Sequence, residues 1–219
     1  MLNLAAYIDH TILAPQTQRA DIDRICAEAL QYHFAAVCVP PCYVKRAAKL
    51  LKNSTVQTAT VIGFPLGYST RSVKLYEMND AISHGAQEID FVINIGALKD
   101  RRWHFLQREI KALSAEAHRQ RTKIKVIIET ALLTTDEVVT ICDICAECKV
   151  DFVKTSTGFS TAGAVVETVA LMRQTLPPTI AIKASGGIRT RAFAEQLIAA
   201  GATRLGCSSS IAIVGELNE

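Results

Sequence analysis

Short β-branched runs alternate with amphipathic runs along the whole chain, and this alternation limits the fold more than any other feature. Strand-like runs fall at residues 7–11, 35–39, 56–62, 88–94, 123–129, 150–155, 179–183 and 203–207. Helical patterns follow them, at 17–34, 44–52, a stretch ending near 84, 103–119, 135–148, 164–175, 191–200 and 208–214. Thr17 is placed to cap the first helix, and Thr134 and Glu137 have capping-box spacing before the fifth. Pro40-Pro41 and Pro177-Pro178 interrupt the pattern where elements should end. A strict strand-then-helix order requires parallel strands with right-handed crossovers. Eight such units in 219 residues predict an α/β chain forming a closed (β/α)8 TIM barrel, one domain over 1–219. An open doubly wound sheet is the alternative. It ordinarily has a Gly-rich turn after its first strand, and the turn after Thr11 contains no glycine.

Composition enters as a filter on function. The formal net charge is only +3, with 21% charged residues dispersed along the chain, which excludes nucleic acid and an anionic membrane surface as partners. No apolar run approaches the length of a membrane span, and the N-terminus has no basic region before a long apolar core. The expected location is therefore cytoplasmic, with the seven cysteines as reduced thiols. Cys142, Cys145 and Cys148 have a spacing that resembles part of an iron–sulfur run, but they lie on a predicted helix without a clear fourth ligand. No histidine pair has metal-binding spacing, so neither a metal nor a cofactor is expected. Cys38 reads as a core thiol.

Active sites of such barrels lie at the C-terminal ends of the strands. Read as a list, those ends offer Asp9 and Thr11, Asp90 and Asn94, Glu129, Lys154 and Lys183. Period-two alternation puts Asp90, Val92 and Asn94 on one face of the fourth strand. The sixth and seventh strands are neighbours, so Lys154 and Lys183 can approach each other. A second cation beside a desolvated lysine favours loss of one proton and leaves a nucleophilic amine. The lysine that stays charged can donate a proton, and Asp90 can shuttle one. A structural Lys–Asp pair with the second lysine snorkelling outward is the competing reading.

Glycines supply a second signal. Lys183-Ala184-Ser185-Gly186-Gly187-Ile188-Arg189 follows the seventh strand, and Gly206-Cys207-Ser208-Ser209 follows the eighth. Backbone amides in such loops form an anion cradle, and these two loops are the usual phosphate site of the fold. Gly158, after the sixth strand, is placed to contribute. Glycines that merely permit tight turns are the alternative.

The stretches 151–159 (Asp-Phe-Val-Lys-Thr-Ser-Thr-Gly-Phe), 183–189, 88–96 and 61–67 resemble the deoxyribose-phosphate aldolase family, as do 9–11 and 37–44. The likeness runs in order from about residue 7 to 214. It implies a class I aldolase that cleaves 2-deoxy-D-ribose 5-phosphate reversibly to D-glyceraldehyde 3-phosphate and acetaldehyde, without a metal, in deoxynucleoside catabolism. Carried over by motif, Lys154 is the Schiff-base lysine, Lys183 the lysine that perturbs it, and Asp90 the acid/base. Gly158, Gly186, Gly187, Gly206, Ser208 and Ser209 match phosphate-facing positions. Asp9 matches a position lining the site that would hold Lys183 charged. The resemblance also implies a phosphorylated sugar as partner and a homodimer or higher homo-oligomer. Tyr68, Ala14 and Cys207 depart from the family pattern, at positions that bear on affinity and substrate tolerance. Two other readings compete: a lysine-dependent aldolase with another donor or acceptor, and a sugar-phosphate-binding barrel without catalysis.

Overall fold

A computed structural model of the chain describes residues 3–215. The strands are β1 (Ile8–Thr11), β2 (Ala36–Val39), β3 (Gln57–Ile62), β4 (Glu88–Val92), β5 (Lys123–Ile127), β6 (Phe152–Lys154), β7 (Ala181–Ser185) and β8 (Arg204–Cys207). All pair in parallel and in sequence order, and β8 pairs with β1 to close the barrel. The helices that alternate with them are α1 (Arg19–Tyr32), α2 (Val44–Leu50), α3 (Arg71–Ser83), α4 (Ile95–Lys99), α5 (Trp103–Arg119), α6 (Thr135–Glu147), α7 (Val166–Thr175), α8 (Arg191–Ala199) and α9 (Ser210–Gly215).

Alternation along each strand decides which way the side chains face. Ile89 and Phe91 of β4, Ile124 and Val126 of β5, Val153, Ile182 and Leu205 belong to the large apolar core with Ile110 and Leu113 of α5 and Val138 and Ile141 of α6. The intervening positions of the same strands carry Glu88, Asp90, Lys125, Lys154, Lys183 and Arg204. On the β2–β3 side, Ala36, Cys38, Ala59 and Val61 form a separate small cluster. Small residues there leave room inside the barrel for the long charged side chains opposite.

Several boundaries depart from the sequence expectation, each for a local reason. Thr17 does not cap α1: its hydroxyl donates to the Ala14 carbonyl at 2.6 Å, and the Gln18 amide instead donates to Asp21 Oδ2 at 2.9 Å. β4 stops at Val92 because Asn94 caps α4, a helix the sequence reading did not anticipate. Its Oδ1 accepts from the Ala97 amide at 2.9 Å. Asn94 is therefore a capping residue and not a strand-end site candidate. β5 ends at Ile127, so Glu129 lies beyond it, in the left-handed region at φ 56°. β7 continues two residues past Lys183, to Ser185. The cap on α6 is as expected: Thr134 Oγ1 accepts from the Glu137 amide at 3.3 Å and Glu137 Oε2 from the Thr134 amide at 2.8 Å.

A buried ion pair anchors the end of β4. Lys74 of α3 donates to the Val92 carbonyl at 2.8 Å and to Glu109 of α5 at 2.9 Å, and Glu109 also accepts from the Asn94 amide at 3.2 Å. Removing either partner would strand a buried charge, at a cost of about 3–5 kcal/mol. Among the described residues no helix is long and apolar enough to cross a membrane, and no group of three acidic, histidine or cysteine side chains is arranged to hold a metal. Cys142 and Cys145 pack into the core on α6.

Candidate active site

The barrel interior holds a connected ion-pair network. Strand register brings it together: Asp90 lies opposite Lys125, Ile127 opposite Lys154, Lys154 opposite Lys183, and Lys183 opposite Arg204. Asp90 is at the centre. Its Oδ2 accepts from Lys154 Nζ at 2.8 Å and from Lys183 Nζ at 2.8 Å, so one oxygen bridges the two lysines. Its Oδ1 accepts from Lys125 Nζ at 2.9 Å. Lys183 also donates to Asp9 Oδ2. Beneath, Arg204 donates to Asp9 Oδ1 at 2.6 Å and to Glu88 at 3.0 Å, and Lys125 pairs with Glu88 at 2.6 Å. Both Lys125 and Arg204 lie over the ring of Phe152.

This network contains four cationic side chains, Lys125, Lys154, Lys183 and Arg204, against three carboxylates, Asp9, Glu88 and Asp90. Full protonation would leave one buried positive charge without a counterpart, so the network favours the loss of one proton. Lys154 is the group placed to lose it. Burial lowers its pKa below the ordinary lysine value; Asp90 opposes that shift and the Lys183 charge adds to it. Lys183 is buried equally, yet its pKa is raised, because Asp9 and Asp90 outweigh the desolvation. Lys125 is likewise raised against its burial, by Asp90, Glu88 and Asp9. Burial pushes Asp9 and Asp90 upward, but the surrounding cations override it and hold both well below the usual carboxylate range. The two central lysines are therefore shifted in opposite directions, because Lys183 pairs with Asp9 as well as Asp90 and Lys154 with Asp90.

Above the network, a cavity of about 530 Å³ opens at the C-terminal ends of the strands. Lys154 reaches its floor, while Lys183, Asp90 and Asp9 lie beneath and are fully buried. Gly158, Gly186, Gly187, Gly206 and Ser208 line the cavity, and Ser209 does not. Gly187, at φ 76°, has open space where a Cβ would stand. Gly206 does something the sequence reading did not ascribe to it. A Cβ there would lie 2.9 Å from the Ser185 Cβ and 3.2 Å from Lys183 Cε, so the absent side chain leaves room for Lys183.

The stretch after Lys154 is tied down on several sides. The Thr155 amide donates to the Lys183 carbonyl at 3.0 Å, the Ser185 amide to Thr155 Oγ1 at 3.1 Å, and the Ser185 hydroxyl to the Ser156 carbonyl at 2.5 Å. These hydroxyls lock the loop after β6 to the end of β7, which explains why small hydroxyl residues follow the lysine. Cys38 is buried, and burial pushes its thiol up to about 11, with Asp90 adding to the shift. Cys207 is pushed up to about 12, also mainly by burial.

Sequence reasoning missed Lys125, Glu88 and Arg204. The period-two argument that selected Asp90 applies equally to Glu88 on the same strand, and to charged residues at alternate positions of β5 and β8. Arg189, quoted only as part of a motif, is among the residues that line the cavity.

Comparison with known proteins adds an independent line. The sequence model described as DeoC/LacD family aldolase matches residues 3–213. A deoxyribose-phosphate aldolase from Clostridium perfringens is 53% identical over 210 residues, covering 96% of this chain and 93% of the relative. One from Clostridium novyi is 50% identical, covering 97% of this chain and 96% of the relative. Among solved structures, a putative deoxyribose-phosphate aldolase from Coccidioides immitis superposes with a TM-score of 0.94 at 40% identity, covering 98% of this chain and 85% of that one. A deoxyribose phosphate aldolase from Aeropyrum pernix, described as a unique tetramer, has a TM-score of 0.91 at 31% identity, covering 97% of this chain and 89% of that one.

Proposed function

The chain belongs to the DeoC/LacD family of aldolases, and from that membership we propose a reversible cleavage of 2-deoxy-D-ribose 5-phosphate to D-glyceraldehyde 3-phosphate and acetaldehyde, with Lys154 as nucleophile. The observation that carries the mechanism is the single Asp90 oxygen lying 2.8 Å from both Lys154 and Lys183.

The neutral Lys154 amine attacks C1 of the open-chain sugar, and the carbinolamine loses water to give an iminium. The Asp90 carboxylate accepts the C3 hydroxyl proton through a water as the C2–C3 bond breaks. The electron pair of that bond moves into the iminium, giving an enamine on Lys154 and releasing glyceraldehyde 3-phosphate. Protonation at C2 and hydrolysis then free acetaldehyde and regenerate the amine. Lys183 keeps its charge in this scheme, disfavours protonation of Lys154 and returns protons through Asp90. Asp9 keeps Lys183 charged. Gly158, Gly186, Gly187, Gly206 and Ser208 present the cavity rim to the phosphate, and Arg189 adds a cation there. Ser209 is the weakest member of that set, because it stands outside the cavity lining. Leu13, which lines the cavity and packs against the small apolar cluster of β2 and β3, gives the acetaldehyde half of the substrate an apolar wall.

The direct test is acetaldehyde release from purified protein given deoxyribose 5-phosphate, beside the unphosphorylated sugar. Efficient turnover of the phosphorylated sugar supports the proposal. Turnover of neither sugar, or no preference for the phosphate, sinks it. Self-association is proposed as well, supported by the exposure of four large apolar side chains within eleven residues of sequence, Leu66, Tyr68, Val73 and Tyr76. A solution mass equal to one chain would remove it.

A further inference from the structure

Glu129 has three unfavourable features that the chemistry above leaves unexplained. Its backbone lies in the left-handed region at φ 56°, where non-glycine residues are uncommon. Its side chain is buried, with the residue 2% exposed. One carboxylate oxygen, Oε1, has no hydrogen-bond partner among the described residues. Features of this kind persist when the surroundings impose them, and they concentrate at functional sites.

What Glu129 does hold is the turn between Lys154 and Gly158. Its Oε2 accepts from the Thr157 amide at 3.2 Å and from the Thr157 hydroxyl at 2.5 Å. That hydroxyl in turn accepts from the Phe159 amide at 3.0 Å. Both bonds converge on one carboxylate oxygen and hold a buried turn. Two backbone bonds support the same segment from the β5 side, Ile128 N to the Lys154 carbonyl at 3.0 Å and Thr130 N to the Thr155 carbonyl at 2.9 Å. Glu129 does not line the cavity that Lys154 enters. It lines an adjoining one of about 250 Å³, and Thr157 and Phe159 are common to both. Among the described residues, the hydrogen bonds its carboxylate makes go to Thr157.

We propose that Glu129 is a positioning residue that fixes Gly158 at a set reach from Lys154 Nζ, so that a phosphorylated sugar seats its carbonyl carbon on the amine. It acts through Thr157 and touches no substrate atom. Its contribution therefore falls on substrates that carry the phosphate. The inference rests on the functional reading above.

The test compares Glu129→Ala, Glu129→Gln and Thr157→Val, measuring kcat and KM on deoxyribose 5-phosphate and on unphosphorylated deoxyribose. Glu129→Ala and Thr157→Val should each raise KM for the phosphorylated sugar by about tenfold, the scale set by losing a buried hydrogen bond. On the unphosphorylated sugar, kcat/KM should stay close to that of the unaltered protein. Glu129→Gln retains an acceptor and should recover most of the lost affinity. Equal losses on both sugars, or an unchanged phosphorylated KM, overturn the proposal. If Glu129→Ala does not fold, Thr157→Val and Glu129→Gln decide by the same readouts. If the unaltered protein cleaves neither sugar, the functional reading fails separately. Binding of inorganic phosphate, followed by phosphorus NMR, then tests the inference, and equal affinity in the unaltered protein and Thr157→Val overturns it.

Discussion

Lys154 and Lys183 have the same chemistry, similar burial and a shared carboxylate oxygen, so their difference must come from a neighbour. Asp9 supplies it, by pairing with Lys183 alone of the two. Replacing Lys183 with leucine removes the cation that helps to lower the Lys154 pKa and leaves Asp90 with less compensation. Both effects raise the Lys154 pKa. The sign of the pH effect follows. A lysine is reactive when deprotonated, so activity rises with pH through the Lys154 pKa, and a raised pKa moves that limb to higher pH. Lys183→Leu should therefore show sharply lower turnover at neutral pH and an acid limb displaced toward alkaline values. A pH–rate profile with the same limb as the unaltered protein would contradict the pairing. Lys154 was legible in the sequence because it ends the short apolar strand β6, and Lys183 and Asp90 because each puts a charge inside an otherwise apolar run. Glu88, Lys125 and Arg204 were not, since they sit further down their strands, toward the barrel floor.

At the level of elements, β7 and β8 show a glycine doing packing work. Gly206 was read as part of the anion cradle, and it does line the cavity. Yet its missing Cβ also leaves the space that Lys183 Cε and the Ser185 Cβ occupy. Gly206→Ala should cost about 1–3 kcal/mol in stability by overpacking, and it should shift the pH–rate profile in the same direction as Lys183→Leu, less strongly. Thermal denaturation and the pH profile together check this. A change confined to KM for the phosphorylated sugar would leave Gly206 with only its cradle role. Strand and helix order was readable apart from α4, because period-two and period-3.6 patterns alternate along most of the chain. Boundaries were less so: Asn94 could be read as a continuing strand until its side chain is seen capping α4, and Thr17 as a cap until its hydroxyl is seen turned back to Ala14. Both are competitions between local hydrogen bonds that periodicity does not register.

For the whole molecule, closure of the barrel is what makes the chemistry possible. It sets β8 beside β1, so that Arg204 meets Asp9 across 195 residues of chain and Lys183 meets Asp9 across 174. No linear motif contains these contacts, and the arrangement of charges that lowers the Lys154 pKa exists only in the closed sheet. The number of units made closure predictable; the ion-pair network could only be seen in the fold. The central claim is that one lysine of this network forms a covalent imine, and borohydride reduction with acetaldehyde followed by intact-mass and peptide analysis tests it most directly. The account predicts a single irreversible adduct on Lys154 that disappears in Lys154→Ala. An adduct on Lys183, or one that persists in Lys154→Ala, would contradict it.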